Sequence, residues 1–323
     1  MSKGRFLDWR ILYWIMKPDL TTNLCGIKMS NPVVTASGTS GYGQEFSQFY
    51  DLGVFGAFTV KSITIEKREG NPTPRIAECT GGLLNSIGIQ SQGVRHFIQK
   101  DLPLLRQYNV PVIVSIAGLS VDEYPRVATI LDQEEGISAI EVNISCPNLE
   151  ADGCSFGGDP EISGQIIGAV KSTTSLPVIA KLTPNVTDIT AIAKSVETCG
   201  ADAVALINTL GGMAIDIQTR KPKLANIIGG LSGPVIKPIG IKMVWQVYNA
   251  VQIPIIGIGG IMTWEDAIEY ILAGATAVGV GTALLQDPWV VFDIIEGISE
   301  YLEKNGLNRS DDIRGKIKLP ETP

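Results

Sequence analysis

Val110-Pro-Val-Ile113, Leu176-Pro-Val-Ile179 and Ile253-Pro-Ile-Ile256 decide the fold, because each opens a short β-branched run directly after a helical pattern. Proline is tolerated at the first position of a strand, where the ladder does not need the N–H it lacks. A second phrase recurs beside them: Cys199-Gly-Ala-Asp-Ala-Val204 and Ala273-Gly-Ala-Thr-Ala-Val278 place glycine where a helix ends and a strand begins. Short apolar runs at 33–36, 57–60, 111–116, 139–144, 178–182, 203–207, 254–258 and 277–280 supply eight strands. The stretches between them are amphipathic or carry helix caps. Asp159-Pro160-Glu161 joins a capping aspartate to proline at the first helical position, and Thr263-Trp-Glu-Asp266 is a capping-box variant. Strands alternating with helices predict parallel pairing, and continuously apolar strands predict that both sheet faces are covered. Eight such units predict an α/β fold, a single (β/α)8 TIM barrel.

Composition narrows the function classes. A chain of 323 residues, 45% apolar and 18% charged, buries a large core and suits one large barrel or two smaller domains. The 35 glycines are scattered between apolar runs, which implies tight connections rather than a flexible linker. A net charge of −7 argues against nucleic acid as a partner, since phosphate-backbone binding relies on clustered Lys and Arg. The cysteines at 25, 79, 146, 154 and 199 contain no C-x-x-C pair, so neither a zinc site nor an iron–sulfur site of the usual spacing is encoded. Their odd number, with no recognisable signal peptide, predicts a reducing, cytoplasmic location. His96, beside Arg95, is the only histidine and reads as a surface or packing residue, which demotes histidine-based hydrolysis and metal chemistry.

The division expected along the chain is an aromatic N-terminal extension at 1–19, the barrel at 20–305 and a C-terminal tail at 306–323. Within the extension, Arg5-Phe-Leu-Asp-Trp-Arg-Ile-Leu-Tyr-Trp-Ile-Met16 is far shorter than the ~20 apolar residues of a spanning helix, so no transmembrane span is expected. It is read as docking on the barrel or a partner, with interfacial membrane contact as the alternative.

The longest non-helical connections follow strand two, at 62–90, and strand six, at 208–234, while the strand-four loop spans 145–159. TIM-barrel active sites lie on such loops, at the C-terminal ends of strands. Strand seven ends Gly257-Ile-Gly-Gly-Ile261 and strand eight ends Gly279-Val-Gly-Thr282, each directly before a helix. Glycine-rich turns after strands seven and eight are where these barrels bind phosphate through bare backbone N–H groups. Neither turn is a G-x-G-x-x-G, which disfavours a Rossmann dinucleotide site. Polar residues end several strands: Lys61, Asn143 followed by Cys146, Lys181, and Asn208-Thr209. One lysine ending an apolar strand reads as snorkelling to solvent. Two lysines, several amides and a cysteine at one barrel mouth read as a site. The set lacks paired carboxylates, a His-based triad and metal-ligand spacing; lysines beside a phosphate-anchored cofactor suit redox chemistry, with Lys181 able to stabilise negative charge at the flavin N1–O2 edge.

These residues resemble the class 1 dihydroorotate dehydrogenases, most closely the type 1B catalytic subunit. The likeness runs from about Leu20 to about residue 305 and is carried by Lys61-Ser-Ile-Thr64, Gly70-Asn-Pro-Thr-Pro-Arg75, Asn85-Ser-Ile-Gly-Ile-Gln90, Asn143-Ile-Ser-Cys-Pro-Asn148, Phe156-Gly-Gly-Asp-Pro-Glu161, Gly230-Leu-Ser-Gly-Pro-Val-Ile-Lys-Pro238 and Gly257-Ile-Gly-Gly260. The resemblance implies FMN held by Ser37, Lys61, Ser62, Asn143, Lys181, Ile207, Gly233, Gly259, Gly260, Gly281 and Thr282. It implies dihydroorotate gripped by Lys61, by Asn85, Ser86, Ile87, Gly88 and Ile89, and by Asn143, Asn208 and Thr209. Cys146 is the implied base in oxidation of dihydroorotate to orotate in pyrimidine biosynthesis, with FMN taking hydride at N5; Cys154 is read as structural.

Departures from the family pattern are Ile89 and Ser91 in place of a leucine and an asparagine, and Ser115 in place of an asparagine at the end of strand three. They imply altered orotate contacts and one lost FMN hydrogen bond. The resemblance further implies a homodimer, or a heterotetramer with an electron-transfer subunit carrying FAD and a [2Fe-2S] cluster; the acceptor, NAD+ or fumarate, stays open. Three rival readings stand beside this one: a pyrimidine-base reductase like dihydropyrimidine dehydrogenase, a flavin-free phosphate-binding TIM-barrel lyase or isomerase, and a non-catalytic binding subunit, which the intact Lys61, Asn143, Cys146 and Lys181 set disfavours.

Overall fold

The computed structural model describes residues 17–145 and 156–320. Eight short parallel strands form its centre: β1 (Val33–Thr35), β2 (Phe58–Thr59), β3 (Val112–Ile116), β4 (Ala139–Asn143), β5 (Val178–Lys181), β6 (Ala203–Leu206), β7 (Ile255–Ile258) and β8 (Ala277–Val280). Each pairs with its neighbours in chain order from β2 through to β8, and β8 pairs back to β1. The last seam closes where Val34 bridges Ala57 and Gly56 N donates to Val33 O at 2.8 Å. The predicted (β/α)8 barrel is therefore the observed one, and each observed strand lies within the apolar run expected for it.

Two cores follow from the side-chain alternation of a strand. The larger cluster lies between barrel and helices and contains Phe58, Val112, Val114, Val142, Val178, Val204 and Ile255, packed against residues such as Ile166, Val244 and Ile271. The smaller cluster takes the alternate positions, Val34, Ala57, Ile113, Ala139, Ile179, Ala203, Ile256 and Ala277, together with Leu24, Ile27 and Met29 of the hairpin Thr22–Leu24/Ile27–Met29. That second set fills the barrel interior, with the hairpin plugging its N-terminal end. Stepping two residues up each strand keeps the inward direction. From Ala57 the same face passes Thr59 to Lys61; from Ala139 it passes Glu141 to Asn143; from Ile179 it reaches Lys181; from Ala277 it passes Gly279 to Gly281. Apolar layers at the bottom thus give way to polar groups at the C-terminal mouth.

Helix ends follow their capping residues. Asp159 Oδ1 accepts from Glu161 N (2.7 Å) and Ile162 N (3.1 Å) to start the helix Pro160–Lys171. Asp266 Oδ2 accepts from Met262 N (2.8 Å) and Thr263 N (3.0 Å) to start Trp264–Ala273. His96 is exposed, as its surface reading requires. After the last long helix, Val290–Lys304, the chain packs back on the barrel: Arg309 Nη1 meets Asp19 Oδ2 at 2.5 Å and Gly315 N donates to Ile271 O at 3.1 Å. Among the described residues no helix is long and apolar enough to cross a membrane. The aromatic stretch 5–16 lies outside the described residues.

The long connections carry structure of their own. The strand-two connection forms a hairpin, Ile76–Cys79 with Gly82–Asn85, and the strand-six connection contributes Leu210–Met213 and Ile228–Ser232. The four segments make one antiparallel sheet over the barrel mouth, joined across the two loops at Gly230↔Asn85, Leu231↔Leu84 and Ser232↔Leu83. Local periodicity does not reveal this pairing because the partners are about 145 residues apart.

Candidate active site

A cavity of about 660 Å³ opens at the C-terminal mouth between strand ends and the antiparallel sheet. That size lies within the range of pockets that enclose a cofactor or drug-sized ligand, ~300–1,000 Å³. Its floor includes Lys61, Ser62, Asn143, Lys181, Ile207 and Asn208, the ends of β2, β4, β5 and β6. One wall is the segment Asn85 to Ile89 with Thr209 and Gly230; the opposite rim is Ser37, Gly233, Gly259, Gly260, Gly281 and Thr282.

The floor polar groups form a chain. Ser115 Oγ and Ser62 Oγ share a hydrogen bond of 2.9 Å, and Asn143 Nδ2 donates to Ser62 Oγ at 3.1 Å. Ser145 Oγ donates to Asn143 Oδ1 at 2.8 Å and accepts from Asn208 Nδ2 at 2.5 Å; Thr209 N donates to Asn208 Oδ1 at 2.7 Å. The amides are therefore oriented before any ligand enters, which lowers the ordering cost of binding. Tyr124 Oη donates to Asn143 O at 3.0 Å and anchors the same strand end from the helical layer.

Two cations face the cavity from different surroundings. Burial, and next the neighbouring Arg75 charge, hold the Lys61 ammonium below the ordinary lysine value of 10.5, with Glu45 acting in the opposite direction. Lys181 is buried, and its Nζ lies 3.8 Å from Glu141 Oε2. Neither ammonium donates a hydrogen bond to an acceptor among the described residues, so both keep donors free for a ligand.

The glycine turns are held by contacts that leave no room for a side chain. Gly260 has φ +70°, and a Cβ there would sit 2.8 Å from Gly233 O and 2.9 Å from Lys237 N. A Cβ on Gly230 would meet Thr209 Oγ1, which shows how closely the two strands of the strand-six loop approach. Tyr270, buried under β7, donates its hydroxyl hydrogen to Gly259 O at 2.6 Å, and Thr282 Oγ1 bonds Ser232 Oγ at 2.9 Å. The rim after β7 and β8 is thus tied both to the helical layer and to the strand-six loop.

The sequence model of the dihydroorotate dehydrogenase family matches residues 19–302 of the chain. The chain belongs to the dihydroorotate dehydrogenase family. A protein of Pelobacter propionicus named dihydroorotate dehydrogenase B (NAD(+)), catalytic subunit, is 50% identical over 303 residues, covering 94% of this chain and 100% of that protein. Proteins of the same name from Geotalea daltonii and Desulforamulus reducens are 52% and 51% identical, each over 94% of this chain and 99% and 100% of their own length.

Every described residue that the family resemblance assigns to FMN or substrate lines the one cavity, from Ser37 to Thr282. Cys146 and Cys154 lie outside the described residues. Two of the three departures acquire definite partners. Ser115 is buried and bonded to Ser62, and Ser91 Oγ accepts from Thr64 N (3.2 Å) and Gly93 N (3.1 Å), so its hydroxyl serves the backbone of the strand-two loop. Ile89 keeps its place in the lining, with φ +50°.

Sequence reasoning missed Ser145, Asn185 and Glu141. Ser145 lies within a quoted motif and links Asn143 to Asn208. Asn185 Nδ2 donates to Thr209 O (3.0 Å) and its Oδ1 accepts from Gly211 N (2.8 Å), which fixes the start of the strand-six loop. Glu141 was legible as a charge inside the apolar run Ala139-Ile-Glu-Val-Asn143, on the face that also carries Asn143.

Proposed function

We propose that the chain oxidises (S)-dihydroorotate to orotate with FMN as its resident cofactor, and passes the electrons to NAD+ through an FAD and [2Fe-2S] partner subunit. The observation that carries this reading is the convergence of Lys61, Asn143, Lys181, Asn208 and the two glycine turns on a single cavity. The cavity suits a flavin mononucleotide. Its glycine rim offers bare backbone N–H groups for a phosphate and two ammonium groups have donors to spare, while on the wall assigned to substrate the buried Ser86 Oγ has no hydrogen-bond partner among the described residues. The words "catalytic subunit" and "NAD(+)" in the names of the relatives support a partner subunit and this acceptor, and the FAD and [2Fe-2S] groups are what the family resemblance implies for that partner.

Ser37, Gly233, Gly259, Gly260, Gly281 and Thr282 would hold the phosphate end, while Ser62, Asn143, Lys181 and Ile207 would face the ring system. When bound, FMN supplies a hydride acceptor for C6 of dihydroorotate. The chain's own residues do the rest. Lys61 places a cation against the substrate carboxylate, and the Asn85–Ile89 segment, Asn143, Asn208 and Thr209 read the polar edges of the ring, so that substrate is aligned before reaction. Cys146 takes the proton from C5; a thiol of ordinary pKa about 8.5 reaches the thiolate at modest cost near neutrality. Lys61 favours a carboxylate-bearing substrate over an uncharged pyrimidine base.

The test is turnover of purified protein with dihydroorotate, with the flavin spectrum recorded. Cys146→Ala should keep the flavin and lose roughly 10²–10⁴-fold in turnover, the usual range for general acid–base catalysis. Protein without flavin bands, or protein that reduces uracil faster than it oxidises dihydroorotate, would overturn the assignment. Co-purification of a second subunit containing iron and FAD checks the electron route.

A further inference from the structure

We infer that Glu141 is a positioning residue that sets the electrostatics of the cofactor pocket by backing Lys181. This rests on the FMN reading above and adds to it a residue outside the cavity lining. Glu141 and Lys181 stand on adjacent strands, on the inward face, with the register Asn143↔Lys181 putting Glu141 two residues below the level of the lysine. Their side chains are 2% and 4% exposed, and Oε2 lies 3.8 Å from Nζ. The lysine lines the cavity and the glutamate does not. The pair is therefore a buried dipole with its positive end toward the ligand.

Three observations indicate that the pair does more than hold the barrel together. At 3.8 Å the contact is longer than a hydrogen bond, and Glu141 Oε1 has no partner among the described residues, so the geometry is poor for a structural bridge. Buried ion pairs are frequently replaceable by apolar residues without loss of stability, and the barrel layer directly below, with Ile113, Ala139 and Ile179, is apolar. Among the described residues the buried charged groups are Glu141, Lys181 and Asp266, and Asp266 lies outside the barrel interior, bonded to Lys237 at 2.6 Å. The barrel interior thus holds one carboxylate, placed behind the one buried ammonium.

Flavin gains negative charge near its N1–O2 edge on reduction. A bare ammonium in the lining of a flavin pocket would favour the reduced form strongly. The carboxylate behind it offsets part of that field, and so lowers the potential and keeps electrons easy to pass on. Lys181 retains its place and its free donors, while the strength of its pull is set by Glu141.

The experiment is the midpoint potential of bound flavin in the holoprotein, measured by dye-equilibrated spectroelectrochemistry at fixed pH and ionic strength. Glu141→Gln should raise it by at least a tenfold change in the ratio of affinities for reduced and oxidised flavin, about 30 mV for a two-electron couple. Glu141→Asp keeps the charge but draws it back from Nζ, and should shift the potential the same way by less; it carries the test if the glutamine variant does not fold. A purely structural role would lower stability and leave the potential in place, so an unshifted potential overturns the inference. Wild-type protein that holds flavin and turns over dihydroorotate while the variant potential stays unchanged refutes only the role of Glu141. Wild-type protein that holds no flavin refutes the functional reading, and with it this one.

Discussion

Gly260→Ala separates two costs that meet in the rim after β7. The backbone there has φ +70°, and an alanine methyl would sit 2.8 Å from Gly233 O, 2.9 Å from Lys237 Cβ and 2.9 Å from Lys237 N. Left-handed backbone costs a non-glycine residue about 1–2 kcal/mol, and overpacking against atoms that cannot rotate away adds about 1–3 kcal/mol. The expected loss is therefore ~2–5 kcal/mol, part of it taken as displacement of the strand-six loop that carries Gly233 and hence of the rim proposed to hold the phosphate. Gly26→Ala is the control. It has φ +92° with nothing within 4 Å of the added Cβ and lies in the hairpin that plugs the opposite end of the barrel. It should cost strain alone, ~1–2 kcal/mol, and leave the cofactor untouched. The assays are urea unfolding of both variants and fluorescence titration of flavin-free protein with FMN. Gly260→Ala should weaken FMN binding at least tenfold, which corresponds to ~1.4 kcal/mol at the rim. Equal unfolding losses in the two variants, or unchanged FMN affinity in Gly260→Ala, would refute the claim that this turn is tied to the strand-six loop at the cofactor rim.

Further outcomes are expected elsewhere. Lys61→Met should retain flavin yet weaken orotate binding, read from the flavin absorbance change on titration. Because burial lowers the Lys61 pKa and only its charged form attracts a carboxylate, wild-type orotate affinity should fall as pH rises through a value below 10.5, and the variant should show no such step. Tyr270→Phe removes the donor to Gly259 O and strands a buried carbonyl, costing about 1–3 kcal/mol in urea unfolding; a loss below ~0.5 kcal/mol would mean the 2.6 Å contact contributes nothing. Asp159→Ala deletes the cap of Pro160–Lys171 and should cost ~1 kcal/mol, with Asp159→Asn recovering most of it, as measured by thermal unfolding.

The barrel was legible because its strands are buried on both faces and therefore appear as largely apolar runs, most of them bounded by proline or glycine. Boundaries were nearly as clear: Asp159 and Asp266 cap helices where the sequence places them. The site was legible for a related reason. Period-two alternation carries Lys61, Asn143 and Gly281 to the inward face once the first apolar position of each strand is known.

Other features required tertiary structure because they depend on pairs of residues distant in the chain. The antiparallel sheet over the mouth joins Asn85 to Gly230, and neither glycine-rich segment has a periodicity strong enough to announce a strand. Ser115 and Ser91 read as lost ligand contacts in the sequence; their bonds to Ser62 and to the Thr64 and Gly93 amides exist only because β2, β3 and the strand-two loop come together. Glu141 is the sharpest case. A single glutamate in an apolar run is ambiguous until the register of β4 against β5 sets it behind Lys181, forty residues later in the chain. By itself the sequence determined the barrel, its polar C-terminal mouth and the residue types available there, since those follow from local apolar patterning and strand parity. Which of those residues touch, and with what charge behind them, was decided by strand register and loop pairing, which no local pattern encodes.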